Sequence, residues 1–301
     1  MYPESYSRKF HMSSLSKSTS GSRVLLSSPL EVKERFPLVE KTRHFIEESR
    51  ATINKILKGE DTRLLLIAGP CSIHDVTAAK EYAIRLKKLA QESADHFFIV
   101  MRVYYEKPRT AVGWKGLLND PTFDGTHDIQ KGLHLTRQLL MALAEIGMPC
   151  AVEFLDPLTS VYFSDLVSWG CIGARTTESQ PHREMASGLP MPIAFKNSTA
   201  GNPQIAVNAI LAASHPNTFV GINEEGKISL VKTQGNVNAH LVLRGGEENS
   251  NYDPASIEHA LQLLKASEIP ARVLIDCSHD NSRRRHENQP FVFQSVIHQY
   301  I

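Results

Sequence analysis

Seven short apolar runs rich in β-branched residues recur along this chain of 301 residues. Their mean spacing is roughly 35 residues, close to the ~30 of one βα unit. The runs are Arg63–Ala68, Phe97–Val103, Pro149–Phe154, Cys171–Ala174, Pro192–Phe195, His240–Leu243 and Arg272–Ile275. Most intervals carry a helical pattern, as at Thr77–Gln91 and Ile257–Ala266. Continuous apolar strands alternating with helices predict an α/β fold with a parallel sheet, either doubly wound or closed as a barrel.

Polar or reactive side chains follow every one of these runs. In chain order they are Cys71, Arg102, Lys107, Arg109, Glu153, Asp156, Arg175, Lys196, Arg244, Asp276 and His279. In a parallel barrel the carboxyl ends of all strands meet on one face, and active sites form there. This placement favours the barrel over the doubly wound sheet.

Six of the residues at the strand ends are cations. The chain as a whole has 33 Lys and Arg against 32 Asp and Glu, so it has no global basic field that would hold nucleic acid. The local cluster predicts a focused pocket for small phosphorylated acids, because arginine matches phosphate and carboxylate and lysine supplies a compact charge. The alternative is that these cations form structural ion pairs with Glu153, Asp156, Glu178 and Asp276.

Cys71 and His279 follow the first and seventh runs, where a thiolate and an imidazole could come together. Such ligands suit zinc, iron, cobalt or manganese, although His279 could equally be a surface histidine. The other cysteines are Cys150, Cys171 and Cys277, and no CxxC spacing occurs. We therefore expect free thiols in a reducing cytoplasm. No apolar run approaches the ~20 residues of a membrane span.

The chain divides into three predicted regions. Residues 1–29 form a Ser-rich basic arm, read as a disordered or docking segment or as a targeting signal. Residues 30–62 form a helical extension whose helix stops at Gly59. Residues 63–301 form the barrel, with a β-hairpin inserted at 219–233.

Eight segments carry a resemblance to a known family. They are GPCSIHD (69–75), MRVYYEKPRT (101–110), GWKGLLNDP (113–121), EFLDP (153–157), IGARTTESQPHRE (172–184), FKN (195–197), LRGG (243–246) and DCSHDNS (276–282). The chain resembles class I 3-deoxy-D-arabino-heptulosonate-7-phosphate (DAHP) synthase. These enzymes condense phosphoenolpyruvate with erythrose 4-phosphate at the head of the shikimate pathway. The resemblance implies a TIM-type (β/α)8 barrel, and the KPRT run separates this family from the related synthase that uses arabinose 5-phosphate.

The resemblance also implies roles for individual residues. Arg102, Lys107 and Lys196 would surround the phosphoenolpyruvate carboxylate, and Glu153 would lie in the same substrate site. Arg175, Arg244 and the backbone near Gly173 and Ala174 would hold its phosphate. Arg109 and Thr110 would hold the phosphate of the sugar. Lys107 would also give a proton to the aldehyde oxygen, and Cys71 and His279 would be two of four ligands to a divalent metal.

Two departures from the family are visible. The family has further Glu and Asp ligands on and beyond its eighth strand, whereas this sequence closes on FVFQSVIHQYI, which reads as the helix after the seventh strand. We therefore expect the eighth strand to be missing from this chain. KNSTAGN (196–202) also stands where the family usually has KNGTDG. An inactive fragment that keeps its phosphate-binding residues, or a related phosphoenolpyruvate–aldose phosphate synthase, are the alternative functions.

The hairpin carries a predicted turn at Glu225-Gly226. In the family, the corresponding insertion and the N-terminal segment form a feedback site for tyrosine, phenylalanine or tryptophan. The wording of this segment favours tyrosine. A surface hairpin used only in oligomer contacts is the alternative, and the resemblance implies a homo-oligomer.

Overall fold

The computed structural model describes residue 21, residues 23–109 and residues 111–300. Most of the Ser-rich arm predicted over 1–29, together with Thr110, lies outside these residues. Nine strands and nine α-helices occur in the described part of the chain. No helix in that part is long and apolar enough to cross a membrane.

Seven of the strands form one parallel sheet, in the order β1-β2-β3-β4-β5-β8-β9. Their bounds are β1 Leu64–Ala68, β2 Phe97–Arg102, β3 Cys150–Glu153, β4 Trp169–Ile172, β5 Ile193–Lys196, β8 His240–Leu243 and β9 Val273–Ile275. The predicted parallel sheet is confirmed, and alternation with helices makes it part of a TIM-type barrel. The fourth strand lies earlier than predicted, because Gly173 and Ala174 belong to the turn that follows it.

Nine helices surround and flank this sheet. They are α1 Pro29–Arg35, α2 Glu40–Lys58, α3 Val76–Glu92, α4 Ile129–Ile146, α5 Pro157–Phe163, α6 Gln180–Gly188, α7 Gln204–Ser214, α8 Pro254–Ala266 and α9 Gln289–Tyr300. Several begin at an acidic cap that accepts a hydrogen bond from the first turn, as Asp75 does from the N–H of Ala78. α2 ends at Gly59, whose left-handed backbone (φ 74°) closes the helix as its sequence predicted.

The core has two layers. The larger lies between the sheet and the helices and includes Leu140, Phe163 and Phe195. The smaller contains Val100, Trp169 and neighbouring inward side chains of the sheet. Ile53 of α2 belongs to this inner cluster. Arg50 of the same helix donates to the carbonyls of Ser164 and Val167, just before β4. α2 therefore covers the amino ends of the strands, and the carboxyl ends are left for chemistry.

The strands differ in burial across the sheet. β3, β4, β5 and β8 are fully buried, whereas every residue of β1 and β9 is only half-buried. Among the described residues β1 and β9 are the two edges of the sheet, since neither pairs on its outer side. Their unpaired backbone groups can accept another strand.

The remaining two strands, β6 Thr218–Ile222 and β7 Ile228–Lys232, form a separate antiparallel hairpin between β5 and β8. The predicted turn lies between them. α1 docks on this turn, because the N–H of Leu30 donates to the carbonyl of Glu224 (2.7 Å) and Lys33 pairs with its carboxylate (2.8 Å). The N-terminal segment and the hairpin therefore form one contiguous surface.

His240, at the buried amino end of β8, gives the fold a pH-dependent stability. Trp169 Nε1 donates to its Nε2 at 3.0 Å, and its Nδ1 lies 2.9 Å from the carbonyl of Asn238. Burial lowers the pKa of His240 from 6.5 to about 4. The unfolded chain therefore binds a proton below its pKa of roughly 6.5 that the folded chain refuses until about pH 4.

Between these two pH values the unfolded state binds more protons, so stability falls as the pH falls. The expected loss is about 3 kcal/mol. Urea unfolding at pH 7.5 and pH 4.5 measures it. His240→Gln, whose amide oxygen can still accept from Trp169, should flatten the difference, whereas exposed His44→Gln should not. If wild type and His240→Gln lose the same free energy of unfolding between pH 7.5 and pH 4.5, the pH dependence does not come from His240.

Candidate functional site

The loop after β1 brings Cys71 against two of the predicted cations. Lys107 Nζ lies 3.1 Å from the Cys71 carbonyl and 3.4 Å from its Sγ, and Arg102 donates to the same carbonyl at 3.3 Å. Gly69 permits this approach, because a Cβ there would lie 2.6 Å from the Arg102 carbonyl oxygen. Cys71 itself is exposed to solvent. Cys71, Arg102 and Lys107 therefore form one hydrogen-bonded group at the carboxyl ends of β1 and β2.

Arg102 lacks a partner for part of its guanidinium. Its Nε is buried without a hydrogen-bond partner in the described structure, and the group stacks 4.0 Å from the Tyr104 ring centre. Burial acts to lower the pKa of Arg102, but Tyr104, Asp276 and other nearby acidic groups together raise it. An arginine that stays charged and keeps an unused buried donor is suited to receive an anion.

Lys196 and His279 meet through one carboxylate, Asp276. Lys196 Nζ lies 3.1 Å from Asp276 Oδ2, and His279 Nδ1 lies 2.7 Å from the same oxygen. Burial works to raise the pKa of Asp276, but Lys196 and His279 hold it well below its usual range. Lys196 stays charged, since Asp276 and other acidic neighbours outweigh the effect of burial and raise its pKa. The carboxyl ends of β5 and β9 are thereby joined.

Arg244 follows β8 and is almost completely buried. Its guanidinium donates to Asp280 Oδ2 at 2.6 Å, and Arg284 donates to the other oxygen of that carboxylate at 2.8 Å. Burial alone would raise the pKa of Asp280, but Arg284 and Arg244 lower it. The Arg244 side chain is therefore fixed in one orientation at the carboxyl end of the sheet.

The turn after β4 is built around the carbonyl of Gly173. This oxygen accepts from the backbone N–H groups of Thr176 and Thr177 at 3.0 Å each and from both hydroxyls. A Cβ on Gly173 would lie 2.1 Å from Glu153 Oε1, so only glycine lets that carboxylate lie against the turn. The turn presents half-buried Ala174 and exposed Arg175.

Arg109 lies on the loop that follows β2. Its Nε donates to the carbonyl of Trp114 at 2.7 Å, which orients the side chain along the loop after β2. Thr110, predicted beside it, falls outside the described residues. Of the two residues predicted to bind the sugar phosphate, only Arg109 is therefore described by the structure.

The predicted cations divide into two classes. Lys196 and Arg244 form carboxylate ion pairs, so the structural alternative holds for them in part. Within the described ranges no ion pair forms at the other four cations, namely Arg102, Lys107, Arg109 and Arg175. Four of the six predicted cations therefore have no carboxylate partner among the described residues, which favours an anionic ligand.

The chemistry of Cys71 and His279 is compatible with a metal. Asp276 bonds to His279 Nδ1, which leaves Nε2 as the ligating atom in the usual carboxylate–histidine–metal arrangement. Lys107 Nζ lies 3.4 Å from Cys71 Sγ, and a cysteine binds a metal through this sulfur. His279 also holds a left-handed backbone (φ 42°), a conformation uncommon outside glycine. Across the described residues no group of three or more His, Cys, Asp or Glu side chains is assembled.

Other polar groups at this face were not among the predicted site residues. Glu106 is buried, and burial together with Asp156 raises its pKa to about 8. Asp280, Asn197 and Asn281 hold Arg244 or its loop. All four lie within the sequence segments that carried the family resemblance, beside residues that were predicted. That adjacency was the available signal, but their burial and partners depend on loops distant in sequence.

Comparisons with known proteins place the chain in a family. The model of the DAHP synthetase I family matches residues 37–300. The Tyr-sensitive phospho-2-dehydro-3-deoxyheptonate aldolase of Escherichia coli K12 is 49% identical over 275 residues, which are 91% of this chain and 77% of that protein. The Corynebacterium glutamicum aldolase is 46% identical over 94% of this chain and 77% of its own. A solved Francisella tularensis aldolase structure superposes with a TM-score of 0.91 at 43% identity, over 93% of this chain and 82% of that one.

Proposed function

The chain belongs to the DAHP synthetase I family, and from this membership we propose that it catalyses the first step of the shikimate pathway. Phosphoenolpyruvate, erythrose 4-phosphate and water give DAHP and inorganic phosphate. One observation carries the proposal: Arg102 and Lys107 converge on the Cys71 loop as cations without a carboxylate partner among the described residues. A site that must hold two phosphorylated anions together needs this excess of positive charge.

The residues at the strand ends divide the work of binding. Arg102, Lys107 and Lys196 hold the carboxylate of phosphoenolpyruvate, with Glu153 beside them. Its phosphate lies with Arg175 and Arg244 against the turn at Gly173 and Ala174. Arg109 and Thr110 take the phosphate of the sugar. Support comes from the fixed side chain of Arg244 and from the unused donor of Arg102.

The reaction forms a bond from C3 of phosphoenolpyruvate to the sugar aldehyde carbon. Lys107 gives a proton to the aldehyde oxygen, water adds at C2, and phosphate leaves with cleavage of its C–O bond. Cys71 and His279 would hold a divalent metal, which when bound polarises the aldehyde as a Lewis acid. Manganese, iron, cobalt and zinc suit a sulfur and nitrogen pair in sites that also recruit carboxylates.

The proposal is tested by assaying the purified 301-residue protein for loss of phosphoenolpyruvate and formation of DAHP. Arg102→Gln removes a buried charge that has no carboxylate partner among the described residues, so phosphoenolpyruvate binding should weaken by about 2–4 kcal/mol, which is roughly 30- to 1,000-fold. Arg63→Gln is the matched control, since Arg63 precedes β1 at the opposite end of the sheet and pairs with Asp61.

Three outcomes of this assay decide between the functions. Turnover with erythrose 4-phosphate supports the proposal, and preference for arabinose 5-phosphate would favour the related synthase. A folded protein that binds phosphoenolpyruvate without turnover would favour the inactive fragment. Arg102→Gln with unchanged constants would remove Arg102 from the site.

We also propose feedback regulation by an aromatic amino acid bound where the N-terminal segment meets the hairpin, with tyrosine favoured. The support is the docking of α1 on the hairpin turn and the names of relatives as Tyr-, Phe- and Trp-sensitive. The hydroxyl of Tyr162 in α5 donates to the Ser27 carbonyl, which links this surface to the helix that follows Glu153 and β3. Inhibition by each amino acid in the same assay identifies the effector.

Further proposals concern assembly and location. We propose a homo-oligomer, supported by the outward apolar side chains Val220, Ile228 and Leu230 of the hairpin. A cytoplasmic location is supported by the four cysteines, which are all free thiols. In the active barrel we propose that an eighth strand lies between β1 and β9, supported by the half-buried faces of both edges.

A further inference from the structure

Three asparagine side chains join the loops that follow β5, β8 and β9. Asn197 Oδ1 accepts from the Arg244 N–H at 2.7 Å and from Asn251 Nδ2 at 3.2 Å. Asn251 Oδ1 accepts from the Gly245 N–H at 2.7 Å, and its own N–H donates to Asn281 Oδ1 at 2.8 Å. The three asparagines therefore form a continuous hydrogen-bond network around the backbone of Arg244 and Gly245.

This hydrogen-bond network is anchored to the backbone through Asn197 and Asn281. Asn197 Nδ2 donates to the carbonyls of Ser198 and Gly245. Asn281 Nδ2 donates to the carbonyls of Leu243 and Asp276. Asn197 is fully buried, and Asn281 nearly so. Because buried amides that lose a partner are strongly disfavoured, this network admits one arrangement of the three loops.

Both peptide groups of Arg244 are fixed within this arrangement. Asn197 holds its N–H, and its carbonyl accepts from the N–H groups of Asp280 and Asn281 at 3.2 and 3.3 Å. The next residue, Gly245, has φ +79°, and a Cβ there would lie 2.6 Å from the Asn281 nitrogen. The loops after β8 and β9 thus pack backbone against backbone directly beneath the arginine.

From these contacts we propose that Asn197, Asn251 and Asn281 are positioning residues for Arg244. They act through its backbone, while Asp280 orients its guanidinium. The inference rests on the proposed function, in which Arg244 binds the phosphate of phosphoenolpyruvate. The hydrogen bonds of the arginine side chain go to Asp280 and to the Gly245 carbonyl, whereas Asn197 bonds to the arginine backbone, so the asparagines fix the position of the guanidinium through the backbone.

Asn251→Ala tests the proposal, since Asn251 is the least buried of the three and the substitution is the most readily tolerated. We expect the dissociation constant of phosphoenolpyruvate, measured by calorimetry, to rise about tenfold, as for one misplaced charge-assisted hydrogen bond. The KM for erythrose 4-phosphate should change by less than about twofold, since Arg109 lies on another loop.

Asn236→Ala is the matched control. Asn236 lies in the segment before β8 and is also buried. Its Nδ2 donates to the carbonyls of Ala186, Leu189 and Met191. Asn236→Ala should lower the urea midpoint by about as much as Asn251→Ala does, and should leave the affinity for phosphoenolpyruvate unchanged. Asn251→Asp keeps the acceptor for Gly245 but loses the donor to Asn197, so a smaller loss of affinity is expected.

A double-mutant cycle separates positioning from general destabilisation. If the asparagines act through Arg244, Asn251→Ala adds little further loss of affinity once Arg244→Gln is present. Fully additive effects, or unchanged affinity in folded Asn251→Ala or Asn251→Asp, would overturn the proposal. A wild-type protein that binds no phosphoenolpyruvate and makes no DAHP would instead overturn the proposed function.

Discussion

Lys107→Arg is expected to reduce kcat by about two to four orders of magnitude, the usual contribution of a general acid. Arginine keeps the positive charge beside Cys71 but cannot give up a proton in a protein. Phosphoenolpyruvate should therefore still bind, because Arg102 and Lys196 remain. Steady-state kinetics give the loss of turnover, and calorimetry with phosphoenolpyruvate gives the retained binding.

Lys115→Arg provides the control for this substitution. Lys115 is exposed on the same loop, and its carbonyl accepts from the Lys107 N–H, so the backbone contact is unchanged. Its kinetic constants should equal those of the wild type. If Lys107→Arg retains full turnover, Lys107 serves only as an electrostatic group, and the proton comes from elsewhere.

Cys71→Ser is expected to weaken binding of Mn²⁺ by at least about tenfold, because the metal loses its thiolate ligand. In the wild type, Cys71 should be the cysteine that reacts fastest with iodoacetamide, since its side chain alone among the four is exposed. Bound Mn²⁺ should protect it, and a chelator should restore its reactivity. Peptide mass spectrometry measures the modified fraction at each cysteine.

The other cysteines serve as internal controls in the same digest. Burial raises the pKa of Cys150, Cys171 and Cys277 to about 12, so each should react slowly with or without metal. Alkylation of Cys71 at equal rates in Mn²⁺ and in chelator would show that Cys71 is not a ligand. A loss of turnover in Cys71→Ser would then be assigned to the lost contact between Sγ and Lys107.

The parallel sheet could be predicted because each strand carries its own signal. A run such as His240–Leu243 is apolar at every position, and strands buried on both faces require this. Gly59 likewise ends α2 by local backbone preference alone. The fourth strand was misplaced by two residues because Gly173 and Ala174 continue the apolar run. Their turn is set by hydrogen bonds from Thr176 and Thr177, which periodicity does not register.

A cluster of cations at one face could be predicted from the sequence, since the strand ends of a parallel sheet meet on one face. The sequence did not show which of these cations stay unpaired. Asp276 pairs with Lys196 across 80 residues of chain and also bonds to His279, and Asp280 reaches Arg244 across 36. The raised pKa of Glu106 also depends on burial by segments distant in the chain.

The sequence by itself therefore determined the family, the order of strands and helices, and the types of residue at the site. These follow from local patterns and from continuous motifs. Only the tertiary structure decided that Arg102 keeps an unused donor, that Lys196 is paired, and that three asparagines hold the Arg244 loop. Those properties arise from hydrogen bonds and burial between loops far apart in the chain, and folding alone brings such loops together.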